Sequence, residues 1–307
     1  MKKLRLLAFA FVAFLFAGIM SVSAYDVSDE TSLREALEAK ETNIVLTKDI
    51  NILAPIDLLY DVTITSAEGN TYTIDGTNMQ RDPISQNGSI LTAHANLTLT
   101  NVKLANANKY GVQAYANGNV VLENVTIENS GFGAVLINGG TVTIKSLTMN
   151  NNSYGIEFGV GDQVATEPAL IMDGTIDAEN QVTPIHIDQE EVTELNVKNT
   201  EDSTDKISIQ DNVVVIKDAN NNVVAQSVAL KDGITVTVDG QEVVTKAPEV
   251  EEPEVEIPEV TEPVVNTTTQ APEENPNTAD NVSLYFILAL MGLGVVGVTT
   301  RSLIKHH

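Results

Sequence analysis

If this chain cleaves anything, the carboxylates to watch are Asp75, Asp82, Asp173 and Asp177. General acid–base cleavage and divalent-cation binding both need acids that converge. Nothing in the spacing brings acids together. Between residues 97 and 161 the charged residues are Lys103, Lys109, Glu123, Glu128, Lys145 and Glu157, and no two acids are adjacent. His94 and His186 each stand alone, and a lone histidine is more often a packed or surface residue than a catalyst. Asp218, Asn220 and Asn222 match the first three ligand positions of a calcium loop. However, Val223 stands where the loop needs Gly and Ala229 where it needs Glu. Strand-like residues flank this stretch and favour a hairpin turn. The expectation is therefore no catalytic set, no metal site and no cofactor.

A different kind of chemistry is written near the C-terminus. Asn275-Pro276-Asn277-Thr278-Ala279 precedes an uncharged apolar stretch, 282–300, which is followed by Arg301, Lys305, His306 and His307. A helix rising about 1.5 Å per residue over 282–300 comes close to the roughly 30 Å hydrocarbon core. The basic tail stays inside. Pentapeptide, span and tail in this order resemble a Gram-positive cell-wall sorting signal. The resemblance implies that a sortase cuts after Thr278 and joins the threonine carboxyl to peptidoglycan, with a membrane-held precursor. The sequence departs from the commonest form of the signal twice, with Asn275 in place of Leu and Ala279 in place of Gly. At the other end, Lys2, Lys3 and Arg5 precede an apolar run that closes on Val22-Ser23-Ala24. This is the pattern of a secretory leader cut after Ala24.

The 307 residues carry a formal charge of −25, with no Cys and no Trp. Such a surface repels nucleic acid, and an exported chain without disulfides must be held by its core. Beyond Ala247, Pro recurs among Glu and Val, and 247–274 reads as an extended, disordered linker that can cross a wall.

The body that this anchor would display is a repeat. Leu97-Thr98-Leu99-Thr100-Asn101 returns as Val120-Val121-Leu122-Glu123-Asn124 and again as Val142-Thr143-Ile144-Lys145-Ser146, a period of about 22 residues. Each copy runs through Asn106, Asn129 or Asn151 into Tyr110-Gly111, Phe132-Gly133 or Tyr154-Gly155. Apolar–polar alternation means strands, and a short period means stacked units that share one core. Three strands and three bends per copy describe a coil of a right-handed parallel β-helix. Asn101, Asn124 and Ser146 are placed at one corner, and Asn106, Asn129 and Asn151 at another, because Asn tolerates left-handed backbone. Phe132 is expected between Tyr110 and Tyr154 inside the core. A short helix from Thr31, N-capped by Thr31 or Ser32 with Glu35 reaching back, should close the first coil.

The expected fold is all-β: a solenoid over 25–191 with a capping helix, terminal β coils or a small β unit over 192–246, the linker 247–274, and the sorting signal 275–307. Asp218–Asn222 and Asp239-Gly240 are expected hairpin turns. The coil pattern resembles the pectate-lyase-like β-helices of bacterial surface adhesins. That resemblance implies a non-enzymatic, wall-anchored protein that binds an extracellular glycan or protein, with a polysaccharide lyase or hydrolase as the alternative. Thr278→Ala should move the protein from the peptidoglycan fraction into membrane or medium. Unchanged covalent recovery from muramidase-digested walls would contradict the anchoring.

Overall fold

The computed structural model describes residues 24–161 and 164–244. The leader up to Ser23, the linker, the Asn275–Ala279 pentapeptide and the 282–300 span lie outside these residues. Among the described residues no helix is long and apolar enough to cross a membrane.

β1 (Tyr25–Val27) and α1 (Glu30–Glu38) precede the stack. Coil one is β2 (Asn43–Leu46), β3 (Ile50–Asn51) and β4 (Ile56–Leu58). Coil two is β5 (Val62–Ser66), β6 (Tyr72–Asp75) and β7 (Leu91–Ala93). Coil three is β8 (Asn96–Thr100), β9 (Val102–Ala105) and β10 (Tyr110–Tyr115). Coil four is β11 (Asn119–Glu123), β12 (Val125–Glu128) and β13 (Gly133–Asn138). In the next two coils the first two strands merge, as β14 (Thr141–Asn150) with β15 (Tyr154–Gly159), and β16 (Ala169–Asp177) with β17 (Ile185–Ile187). Each strand pairs in parallel with its counterpart above and below, and this makes three walls.

The alternation read from the sequence is what builds the core. In the first wall Val62, Leu97, Val120, Val142, Leu170 and Val197 stack in register and are buried. The third wall stacks Leu58, Ala93, Ala114, Ile137, Phe158 and Ile187 in the same way. The corners turn on left-handed asparagines: Asn101, Asn106, Asn124, Asn129 and Asn151 have φ of 55°, 59°, 53°, 56° and 54°. At the first corner Asn124 Nδ2 donates to Asn101 Oδ1 at 2.6 Å, linking two coils side chain to side chain. Ser146 is the exception. It lacks the left-handed tolerance of Asn and turns without a positive φ: β14 stays a continuous strand across it, its first half pairing with β11 and its second with β12, with a register shift against β16 between Ile144 and Ser146.

Two other expectations are corrected. The N-cap of α1 is Asp29, not Thr31 or Ser32: Asp29 Oδ1 accepts from the Ser32 backbone N–H at 2.8 Å, and the Ser32 side chain, rather than Glu35, completes the box. Asp29 wins because it lies in extended backbone just ahead of the first turn, where a carboxylate also meets the positive end of the helix. Helix α1 then closes the open end, burying Leu33 and Ala36. Glu30 Oε2 accepts from the Leu53 backbone N–H at 3.1 Å, which ties the helix to coil one.

Phe132 is not in the core. Tyr110 pairs with Gly133, and Gly133 pairs with Tyr154, so the middle aromatic-Gly pair is slid by one residue relative to its neighbours. Ala134 takes the place that Gly111 and Gly155 hold in the adjoining coils. The slip pushes Phe132 onto the outer surface, where it is 42% exposed.

After coil six the first wall continues through β18 (Glu194–Asn199). An antiparallel sheet follows, made of β19 (Lys206–Gln210), β20 (Val213–Lys217) and β21 (Val223–Gln226). β22 (Thr235–Val238) then rejoins the wall in parallel beside β18, and β23 (Gln241–Val244) turns back antiparallel on it. The stretch after Val192 is thus both solenoid and inserted β unit. Both hairpin turns form, the second with Asp239 and Gly240 at φ 51° and 80°. Since Phe158 is fully buried and Phe132 is not, Phe158→Ala should cost about 3–5 kcal/mol. Phe132→Ala should cost about 1 kcal/mol or less. Reversible urea unfolding of the two variants measures the contrast.

Candidate functional site

The outward positions of the third wall are the place where the fold gathers unlike side chains. In register, one per coil, stand Asp57, Thr92, Gln113, Leu136, Glu157 and His186. Rungs about 4.8 Å apart make this row about 24 Å long. Its first four members border an open groove of about 520 Å³.

The groove has two kinds of lining. Planar polar groups come from Asn87, Gln113 and Asn138, and aromatic surfaces from Tyr115 and Phe132. Asn87 Nδ2 donates to Thr92 Oγ1 at 3.0 Å, which orients its amide, and the long turn between β6 and β7 brings it there. Asp82 shapes that turn by accepting from the backbone N–H groups of Ile84 and Ser85 at 2.9 and 2.7 Å. These bonds hold the Asp82 carboxyl below its usual range. His94 lies with its ring centroid 5.0 Å from that of Tyr115, and its Nε2 is 3.7 Å from Asp57 Oδ1. Phe132 meets Tyr110 edge to face at 5.9 Å, and the cations of Arg81 and Lys109 lie 5.7 and 5.8 Å from its ring centre. Burial, and then Arg81, lower the affinity of Lys109 for its proton.

Beyond the groove the same row carries a titratable constellation. Tyr110 Oη donates to Glu157 Oε2 at 2.8 Å, across two rungs. The intervening rung has Gly133 in register with Tyr110, and a Cβ there would come within 3.0 Å of the Tyr110 ring. The one-residue slip therefore clears the path by which the tyrosine passes over. Burial pushes the Glu157 carboxyl up. The hydrogen bond from Tyr110 and the neighbouring His186 oppose that rise, while Asp188 and Glu191 add to it. Burial and the adjacent Glu157 charge push the Tyr110 hydroxyl far above its normal range. On the next rung His186 stacks flat on Tyr154, with centroids 4.1 Å apart and planes 6° apart.

The expected lone histidines are thus not alone: His94 faces Asp57 and Tyr115, and His186 faces Tyr154 and Glu157. The four aspartates do not meet. Asp75 and Asp177 belong to one wall but are separated by β9, β12 and β14. Asp75 Oδ1 is occupied by Thr77 and Asn106, and Asp173 Oδ1 accepts from Thr200 Oγ1 at 2.5 Å. Asp218 accepts from the backbone N–H groups of Asn220 and Asn222 at 2.9 and 2.7 Å, so the calcium-loop residues are spent on their own turn. Among the described residues no group of three His, Asp or Glu could hold a metal ion.

Folded Glu157 keeps its proton to higher pH than the unfolded chain does. The native state therefore binds more protons in that window, and this residue's contribution to stability is lost as pH rises through its raised pKa. Tyr110→Phe removes a hydrogen bond that favours the charged form and should raise the Glu157 pKa further. Carbon NMR of the carboxyl group reads the shift, and an unchanged titration would mean that the hydroxyl does not bond to it.

The family model for a right handed beta helix region matches residues 87–246. No curated protein and no solved structure matches the chain.

Proposed function

From a chain that belongs to the right-handed β-helix family, whose members share a fold and not a reaction, we propose a wall-anchored adhesin. Its third wall holds an extended glycan and does not cleave it. The observation that carries this reading is the groove, an open surface lined by both aromatic side chains and planar amides. Amides and hydroxyls match sugar hydroxyls in both donor and acceptor sense, and aromatic rings cover the apolar faces of the sugar ring. The rung spacing also supplies one outward side chain for roughly each unit of an extended chain.

The display system completes the proposal. A leader cut after Ala24 exports the chain, and a sortase cuts after Thr278 and transfers the body to peptidoglycan from a membrane-held precursor. The acidic 247–274 segment spaces the body from the wall. The acidity of the whole chain argues against nucleic acid as a partner. Many anchored copies convert weak single-site affinity into firm attachment.

A second reading has one observation in its favour. Glu157, Tyr110 and His186 form an acid, a hydroxyl and an imidazole on one face, the ingredients of polysaccharide cleavage. The two readings part in one experiment. Cells displaying the full chain should attach to glycan-coated surfaces, and Tyr115→Ala should weaken attachment. Incubation with polygalacturonate, with or without calcium, should release no unsaturated uronate and no new reducing ends. Steady product that disappears in Glu157→Gln would place cleavage first.

A further inference from the structure

The constellation around Glu157 has a chemistry of its own. One carboxylate oxygen is held by Tyr110, and the other has no hydrogen-bond donor among the described residues. The carboxylate is half-buried, and it lies one rung beyond Leu136, which borders the glycan groove. Tyr154 stands on the same strand as Glu157 and is stacked by His186, the residue in register with Glu157 on the next rung. An anion with one open oxygen beside a tyrosine hydroxyl is matched by an ammonium group. The charge pairs with the carboxylate, and the N–H donors reach the open oxygen. A uronate would instead bring a second anion to Glu157, in a chain already at −25.

We infer that Glu157, with Tyr110 and Tyr154, is a subsite for the ammonium group of an amino sugar, so that the groove selects glycans carrying free amines. This rests on the glycan-binding reading and names the ligand class for it. The groups that face Glu157 are Tyr110 from β10, Leu136 from β13, His186 from β17, and Asp188 and Glu191 from the turn beyond it. Burial raises the pKa of Glu157. Affinity for an amine should therefore fall as pH drops and Glu157 takes up a proton, and fall again at high pH as the amine loses its own.

The test is calorimetric titration of the full chain, purified in detergent, with three linear tetrasaccharides: glucosamine, N-acetylglucosamine and galacturonate. The glucosamine tetramer should bind roughly tenfold tighter than its N-acetylated counterpart, the effect of one charge-assisted hydrogen bond. Galacturonate should bind weakest, and the amine should follow a bell-shaped pH profile. Glu157→Gln, which keeps shape and the partner for Tyr110, should abolish the preference for the free amine. Equal affinity for the first two sugars, or a preference that survives Glu157→Gln, would overturn the subsite and leave the glycan groove standing. Binding of none of the three would remove both.

Discussion

Register between successive coils is the constraint from which the rest of this structure follows. Each coil is too thin to bury its own apolar face, and it becomes stable only when its inward Val, Leu and Ile rest on those of the next coil. Parallel pairing enforces that alignment, since a slip of one residue would turn inward side chains outward. The ladder Val62, Leu97, Val120, Val142, Leu170 and Val197 shows how strictly it holds along the first wall. Left-handed Asn at the corners makes this possible, because the chain can turn sharply without a Gly and without losing the backbone bonds to its neighbours. Asn101 N donates to Glu123 O and Asn106 N to Glu128 O, both at 3.0 Å.

The same constraint explains where the chain is unlike itself. At Gly133 the third wall takes one residue out of step with the repeat, and the stacked core tolerates this because Ala134 is small enough for the place that Gly111 and Gly155 hold. The consequences appear outside. Phe132 is expelled to the surface, and the space over Gly133 lets Tyr110 reach Glu157. A single departure from the repeat thus supplies both an aromatic edge for the groove and the hydrogen bond that orients the carboxylate.

A stack with open ends would invite pairing with other chains, and the two ends are treated differently. At the first, α1 buries Leu33 and Ala36 against coil one and reaches its backbone through Glu30. Further along, β23 pairs antiparallel with β22, so parallel propagation stops in a hairpin. The antiparallel sheet inserted between β18 and β22 buries Ile207, Val214, Ile216 and Ala225, continuing the apolar core by a different pairing rule.

The amino-acid sequence by itself determined the coil, its period, the first-wall register, the Asn corners and both hairpin turns. Each of these is local: alternation sets a strand, left-handed tolerance sets a bend, and Asp239-Gly240 sets a tight turn. The tertiary structure decided what depends on neighbours. Asp29 rather than Thr31 caps the helix because the cap depends on where the backbone changes direction. Ser146 takes the place of Asn124 between the two walls without left-handed backbone, so that corner is made within one continuous strand. Glu157 and His186 look unrelated in sequence because their spacing is longer than the 22-residue period. Their adjacency exists only because β17 pairs in register with β15, so that two residues far apart along the chain become neighbours on one face.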